Sequence, residues 1–104
     1  MTRALLPALK KRKDKKAQII NLSSSASFFP EPYVAVYSAT KVFDRYFSES
    51  LRFELNQSSS QIEVLTVLPM FVSTSMTFNI KPSWATGVTS SEQYVNTLFK
   101  AMSN

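Results

Sequence analysis

The chain has 104 residues, 44 % of them hydrophobic and 18 % charged, which is ordinary for a globular domain or for part of one. Cysteine and histidine are both absent, which excludes disulfides, thiol nucleophiles, serine–histidine catalysis and the commonest zinc sites, so we expect no metal site. The net charge of +5 is uneven, because residues 1–16 carry a net +6 and the remaining residues a net −1.

The predicted elements alternate between helices and strands. The first half of the chain predicts an amphipathic helix over 2–12, a basic turn over 10–16, a strand over 17–23, a loop over 23–32 and a helix from Tyr33 to Asn56. A polar turn over 57–61 and a second strand over 62–69 follow. The rest predicts a loop or short helices over 70–90 and a helix over 89–102, capped by Ser90 or Ser91. Both strands are apolar runs without polar alternation, which is typical of parallel strands covered on both faces. The alternation predicts an α/β fold with crossover connections.

The long helix carries a recurrent set of apolar and small residues at three- and four-residue spacing, which predicts its buried face. The set is Val36, Ala39, Thr40, Phe43, Phe47, Ser50 and Leu51. We also expect the eight phenylalanines, among them Phe53, to serve as core and helix-packing residues rather than as a stacking platform. The same helix could instead form a dimer face, and the sequence leaves that alternative open.

Glycine is rarer than in most proteins. Average usage predicts about seven glycines in this length, and only Gly87 occurs. A glycine-rich phosphate cradle cannot be built from one glycine. If the protein uses a nucleotide, we expect its phosphate-binding loop to lie outside this sequence.

Tyr37 and Lys41 lie four residues apart on the predicted helix, so their side chains share a face. A nearby ammonium stabilises the phenolate form of a tyrosine and prepares it for proton exchange. Such a tyrosine can protonate an alkoxide as it forms, or remove a hydroxyl proton in the reverse direction. By itself a tyrosine–lysine pair at this spacing is a weak signal, since a surface tyrosine beside a solvated lysine has the same pattern.

The surrounding segment, NLSSSASFFPEPYVAVYSATK over 21–41, resembles the active-site segment of the short-chain dehydrogenase/reductase family. In that family a strand ending in Asn-x-Ser-Ser is followed by a loop and by Tyr-Ser-Ala-Ser/Thr-Lys at the start of a helix. The resemblance implies that Tyr37 is the acid–base and binds substrate and cofactor. It also implies that Lys41 favours the phenolate and holds the nicotinamide ribose.

The resemblance also selects a serine to hold the substrate oxygen. The family's catalytic serine usually lies thirteen residues before its tyrosine, which selects Ser24 as the catalytic and substrate-binding serine. Ser23 and Ser25 are interpreted as loop serines that bond locally. Asn21 ends the strand and does not correspond to the family's helical asparagine.

A second family landmark follows the second strand, in LTVLPMFVSTSM over 65–76. The family has a Pro-Gly turn there, followed by residues that hold the nicotinamide amide. Pro69 matches the turn, and Val72 and Thr74 fall at the cofactor-contact positions. Met70 replaces the glycine, whose left-handed conformation is unfavourable for methionine.

The finer resemblance is to the 17β-hydroxysteroid dehydrogenase and very-long-chain 3-oxoacyl-coenzyme A reductase branch, and it covers nearly the whole chain. The matching stretches are MTRALLPALKKR, FPEPYVAVYSATKVFDRYFSESLRFEL, VLPMFVSTSM and KPSWATGVTSSEQYVNTLFKAM. This likeness implies an NADP(H)-dependent enzyme of the endoplasmic reticulum membrane that interconverts keto and hydroxyl groups on steroids or 3-oxoacyl-CoA. A homodimer is also possible.

The fold expected from this resemblance is a partial doubly wound parallel sheet of the Rossmann type, without the N-terminal nucleotide-binding half. Residues 1–104 would form one incomplete catalytic segment. Its parts are the helix end and basic turn over 1–16, the strand–helix–strand active-site unit over 17–69, and the substrate-side loop and helix over 70–104.

Two alternatives accompany the enzyme hypothesis. The isolated chain could be catalytically inactive and act as an interaction module, and we expect it to be poorly soluble and to show no turnover. The basic cluster KKRKDKK over 10–16 could bind nucleic acid, an import receptor or an anionic membrane. We favour a solvated turn for this cluster and expect no nucleic-acid partner.

Overall fold

The computed structural model describes residues 1–12, 16–78, 80–83, 85 and 87–103, and the chain divides into two compact units, Met1–Leu68 and Pro69–Asn104. The first unit contains helix α1 (Thr2–Lys11), strand β1 (Ala17–Leu22), a 3-10 turn (Ser25–Ser27), helix α2 (Ala35–Gln57) and strand β2 (Ile62–Val67). Residues 13–15 of the predicted basic turn lie outside the described residues.

Strands β1 and β2 are parallel, with Ala17 opposite Ile62 and Leu22 opposite Val67. Two consecutive parallel strands need a crossover connection, and α2 provides it. This arrangement confirms the predicted α/β class with parallel strands. Both strands end at the same edge of the sheet, which we call the carboxyl edge, and the polar residues after β1 lie there.

A small apolar core holds α1 and α2 against the sheet. Its buried members are Ala17, Leu51, Leu55, Ile62 and Val64, and Leu6, Leu9 and Ile19 pack against them half-buried. Successive strand residues point to opposite faces, and among the described residues the alternate face of β1 is open. Ile20 and Leu22 there are 42 % and 58 % exposed, so in this chain one face lies open on a strand whose sequence is typical of two covered faces.

The predicted buried face of α2 is also wrong. Val36 and Phe43 are 80 % and 67 % exposed, and of the predicted set only Leu51 is buried. The residues that α2 buries are Ser38, Ser48, Leu51 and Leu55. The helix approaches the sheet through small side chains, and one of them, Ser48, accepts a hydrogen bond from Asn21 Nδ2 of β1.

The eight phenylalanines are all exposed, which corrects the expectation that they are core residues. They are Phe28, Phe29, Phe43, Phe47, Phe53, Phe71, Phe78 and Phe99. Phe43 and Phe47 stack on each other on the outer side of α2, with ring centroids 6.1 Å apart. An apolar stripe predicts the buried side of a helix, but on α2 the side that carries these two rings is exposed.

Helix α2 ends in a Schellman motif. The N–H of Ser60 donates to Leu55 O at 3.1 Å, and the N–H of Ser59 donates to Asn56 O at 3.2 Å. Ser59 occupies the left-handed position of this motif, with φ of 51°, which is usually taken by glycine. The motif caps the last carbonyls of the helix and turns the chain into β2.

The second unit contains two short strands, a 3-10 turn and a helix. They are β3 (Val72–Ser73), a 3-10 turn (Ser75–Thr77), β4 (Thr89–Ser90) and α3 (Ser91–Ser103). β3 and β4 pair in parallel, with Val72 opposite Thr89. The hydroxyl of Ser90 accepts the N–H of Gln93 at 3.2 Å, so Ser90 is the serine that caps α3. No helix in the described ranges is long and apolar enough to cross a membrane.

Candidate active site

The carboxyl edge of β1 is joined to α2 by side-chain hydrogen bonds. Ser23 is 2 % exposed. Its N–H donates to Val67 O at 2.8 Å, which extends the sheet by one residue, and its hydroxyl donates to Lys41 O at 2.6 Å. A charged donor reaches back from the helix, since Lys41 Nζ donates to Leu22 O at 3.2 Å. These contacts set the position of Lys41 relative to the strand end.

A further hydrogen bond lies deeper along the same interface. Asn21 Nδ2 donates to Ser48 Oγ at 2.8 Å, and the Ser48 hydroxyl donates to Asp44 O at 2.7 Å. Ser48 has no exposed surface. The result is a line of polar contacts, formed by Asn21, Ser23, Lys41 and Ser48, that fastens the helix to the strand preceding the predicted catalytic serine.

Tyr37 lies in the first turn of α2, and Lys41 lies one turn later. The Lys41 ammonium is 5.8 Å from the centroid of the Tyr37 ring, and it also forms an ion pair with Asp44 at 3.5 Å. The Tyr37 side chain is 40 % exposed, so its phenol can meet a molecule from solvent. The structure therefore brings the predicted acid–base and its cation together, beside the carboxyl edge of β1.

Ser24 directly follows β1 and is 7 % exposed. It is the N-cap of the 3-10 turn, and its hydroxyl oxygen accepts the N–H of Ala26 at 3.2 Å. Ser24 therefore has the local capping role that the sequence suggested for its neighbours Ser23 and Ser25. The hydrogen bond fixes the hydroxyl of Ser24 at the start of the loop that leads to α2.

The predicted cofactor-contact residues belong to the second unit. Pro69 is half-buried at the start of this unit, and Val72 opens β3. Thr74 precedes a 3-10 turn, where its N–H donates to Thr77 Oγ1 at 2.9 Å, and Thr77 Oγ1 donates to Val72 O at 2.8 Å. Met70 does not adopt a positive φ, so the turn after Pro69 does not need the glycine conformation.

Sequence reasoning missed the roles of Ser23 and Ser48. Ser48 could have been found from its spacing, because it lies seven residues after Lys41 and therefore on the same side of the helix. A small polar residue at a core-facing helical position signals a hydrogen bond to the neighbouring element. Ser23 has no comparable signal, since the three consecutive serines are chemically identical.

Comparisons with known proteins place this geometry in context. A family model described as short chain dehydrogenase matches residues 1–84. A very-long-chain 3-oxoacyl-CoA reductase of Anas platyrhynchos is 42 % identical over 84 residues, which is 81 % of this chain and 26 % of that protein. A 17-beta-hydroxysteroid dehydrogenase type 3 of Danio rerio is 36 % identical over 100 residues, which is 96 % of this chain and 31 % of that protein.

A solved structure gives the same fold. The crystal structure of a short chain dehydrogenase from Burkholderia cenocepacia in complex with NADP aligns with a TM-score of 0.81 and 29 % identity, over the whole of this chain and 40 % of that one. The parallel strand–helix–strand unit therefore belongs to the Rossmann-like α/β proteins. Because the family model covers most of its length, the chain belongs to the short-chain dehydrogenase family. It spans about a quarter of the length of the 3-oxoacyl-CoA reductases it matches.

Proposed function

We propose that this chain forms the catalytic side of an NADP(H)-dependent oxidoreductase that interconverts keto and hydroxyl groups. The observation that carries the proposal is the position of Lys41, whose ammonium lies 5.8 Å from the Tyr37 ring and is held to the end of β1 by Leu22 O. A surface tyrosine–lysine pair without a role would not need its lysine tied to a neighbouring strand.

The proposed roles follow from the chemistry of each group. In the reducing direction the Tyr37 phenol donates its proton to the substrate oxygen, and Ser24 orients that oxygen through its hydroxyl. The Lys41 ammonium stabilises the phenolate that remains. NADPH supplies the hydride when it is bound. In the oxidising direction the phenolate removes the hydroxyl proton, so the same three residues serve both directions.

The residues of this chain fit only part of the cofactor. An exposed phenol and a nearby ammonium suit the hydroxyls of the nicotinamide ribose, and Pro69, Val72 and Thr74 are the residues proposed to border the nicotinamide. The glycine-rich phosphate loop of dinucleotide-binding folds uses several glycines, and the sequence contains only Gly87. We therefore propose that residues outside this sequence bind the NADP phosphates.

We propose that the substrate is a 3-oxoacyl-CoA in preference to a steroid. Support comes from the relatives, since the 3-oxoacyl-CoA reductase of Anas platyrhynchos and reductase A of Danio rerio are 42 % and 41 % identical to this chain. The hydroxysteroid dehydrogenase and reductase B of Danio rerio are 36 % and 35 % identical. The two substrates differ in shape, because a steroid needs a broad rigid pocket and an acyl chain a narrow one.

A chimaeric enzyme tests the catalytic proposal. The segment of the Anas platyrhynchos reductase that aligns with this chain over 84 residues is replaced by those residues. We expect the chimaera to oxidise NADPH in the presence of a 3-oxoacyl-CoA, and the Tyr37→Phe variant to lose that activity while it still binds NADPH. The matched control is Tyr46→Phe, which changes an exposed tyrosine on the same helix. Equal activity in both variants would refute the role of Tyr37.

We also propose that the functional protein is associated with the endoplasmic reticulum membrane and forms a homodimer through the outer side of α2. The exposed and stacked rings of Phe43 and Phe47 support the second proposal, since buried aromatic area stabilises interfaces. Co-localisation of a tagged protein with a reticulum marker tests the first proposal. Replacing both phenylalanines with serine should shift the sedimentation coefficient to that of a monomer.

The alternative function is an inactive chain that acts as an interaction module. The open face of β1, with Ile20 and Leu22 exposed, favours it because an uncovered apolar strand attracts a partner. An immunoblot of cell extracts with an antibody against residues 75–104 separates the two. A band well above 11.7 kDa supports the enzyme, and a band only at that mass supports the module.

A further inference from the structure

A second concave site lies at the opposite end of the sheet from Ser24. It is a cleft of about 450 Å³ at the amino edge, where β1 and β2 begin with Ala17 and Ile62. Strand β1 has six residues, and at about 3.3 Å per residue the two edges are about 20 Å apart. The cleft is therefore separate from the candidate active site, and binding of a ligand there does not depend on the proposed function.

The walls of this amino-edge cleft combine cations with hydrogen-bond donors. Lys10 and Arg12 form one wall, and the turn Ser58–Gln61 forms the other. Leu9, Ala17 and Ile62 complete the lining, and none of the lining residues that the structure describes is acidic. Within the described part of the chain neither Lys10 nor Arg12 forms an ion pair. Both cations are exposed and can therefore meet an anion from solvent.

The turn Ser58–Gln61 has hydrogen-bond donors that remain available to a ligand. The Ser60 hydroxyl oxygen accepts the N–H of Ile62 at 3.3 Å, which leaves the hydroxyl proton of Ser60 to donate elsewhere. Ser59 is exposed, and the Gln61 side chain has two amide protons. The Ser58 hydroxyl is already used, because it donates to Leu55 O at 3.0 Å. Ser59, Ser60 and Gln61 thus add neutral donors to the two cations.

The carboxyl ends of α1 and α2 both lie beside the cleft, and their partial negative charges repel an anion there. Each carboxyl terminus carries roughly half a negative charge. The carbonyls of Leu55 and Asn56 are capped by the Schellman motif, which lowers that charge. Lys10 and Arg12, which line the cleft, contribute two positive charges, against about one negative charge from both helix ends, so the described residues leave the cleft cationic.

We propose that the amino-edge cleft binds a phosphate monoester group through Lys10, Arg12, Ser59 and Ser60. A phosphate offers several strong acceptor oxygens to this mixture of cations and hydroxyls. The phosphate is carried either by a small soluble ester or by a lipid headgroup.

Titration of the isotope-labelled 104-residue chain, kept in solution by fusion to a soluble carrier protein, with glycerol 3-phosphate tests the site. We expect saturable NMR shifts at the backbone amides of Ser59, Ser60 and Gln61. Each exposed ion pair accounts for up to about a fivefold change in affinity. The double variant Lys10→Gln, Arg12→Gln should therefore bind up to about 25-fold more weakly.

The control variant, Lys81→Gln with Lys100→Gln, changes the net charge equally in the second unit and should bind like the wild type. Equal weakening in both double variants would show general charge attraction and refute the site.

Vesicles distinguish the two sources of phosphate. Binding to phosphatidylcholine vesicles that contain phosphatidic acid, but not to phosphatidylcholine alone, assigns a lipid headgroup when glycerol 3-phosphate produces no shifts. Saturable binding of glycerol 3-phosphate assigns a soluble ester. Either result supports the proposal if the Lys10→Gln, Arg12→Gln variant loses it. Absence of binding in both assays overturns the proposal.

Discussion

Replacing Ser48 with alanine is expected to be the most damaging single hydroxyl deletion in the contact between α2 and β1. Ser48 is fully buried, and its hydroxyl joins Asn21 Nδ2 at 2.8 Å to Asp44 O at 2.7 Å. The variant removes the acceptor of the half-buried Asn21 amide and offers no replacement. Loss of one partner of a buried polar group costs about 1–3 kcal/mol, so we expect the free energy of unfolding to fall by that amount.

Ser23→Ala is the comparison variant, and it should lower the free energy of unfolding by less than Ser48→Ala. The Ser23 hydroxyl donates to Lys41 O at 2.6 Å, but that carbonyl also belongs to the hydrogen-bond ladder of the helix. The carbonyl is therefore not orphaned by the change, and the expected loss is about 0.5–1.5 kcal/mol. The structure thus predicts the order Ser48→Ala above Ser23→Ala, although both variants delete one hydroxyl.

Urea unfolding of the chain, followed by circular dichroism, measures both losses. Ser50→Ala, an exposed position on the same helix, is the control and should change the unfolding free energy by less than about 0.5 kcal/mol. A double-mutant cycle that combines Ser48→Ala with Asn21→Ala measures the interaction energy between Ser48 and Asn21, which we expect to exceed about 0.5 kcal/mol. The reasoning is refuted if Ser48→Ala costs no more than Ser50→Ala, or less than Ser23→Ala.

Three further predictions concern stability. Ser59→Gly should raise the unfolding free energy by about 0.5–1 kcal/mol in urea titration, because residue 59 has a φ of 51° that glycine adopts without strain; a loss would contradict this. Leu55→Ala should cost about 2–5 kcal/mol in the same assay, since Leu55 is 2 % exposed in the core, and a loss below about 1 kcal/mol would mean that α2 does not pack as described. Burial raises the pKa of the Tyr94 phenol above its usual value, so ionisation of this phenol favours the unfolded state. The free energy of unfolding should therefore fall as the pH rises through that pKa. In strong alkali the urea midpoint should fall less for Tyr94→Phe than for the wild type.

The element order and the proximity of the tyrosine–lysine pair could be predicted from the sequence. The predicted helix from Tyr33 to Asn56 corresponds to α2, Ala35–Gln57, and the two apolar runs are the parallel strands β1 and β2. These features depend on local periodicity and on turn residues, which a sequence displays directly. The proximity of Tyr37 and Lys41 follows from helical geometry alone.

The short strands β3 and β4 could not be predicted in the same way. Each has two residues, too few for any periodic pattern, and each exists only because the other lies beside it. Ser59 in a left-handed conformation is a similar case, since glycine is the usual signal for the position and serine gives none.

The sequence by itself determined the α/β class, the helix that carries the tyrosine–lysine pair and the family to which the chain belongs. Only the tertiary structure decided which side of α2 is buried. An apolar stripe with Phe43 and Phe47 predicted one side, and hydrogen bonds from Asn21 and Ser23 at the end of β1 select the other. The physical reason is that a buried polar side chain such as Ser48 gains from a hydrogen-bond partner, and its partner Asn21 lies far away in the sequence.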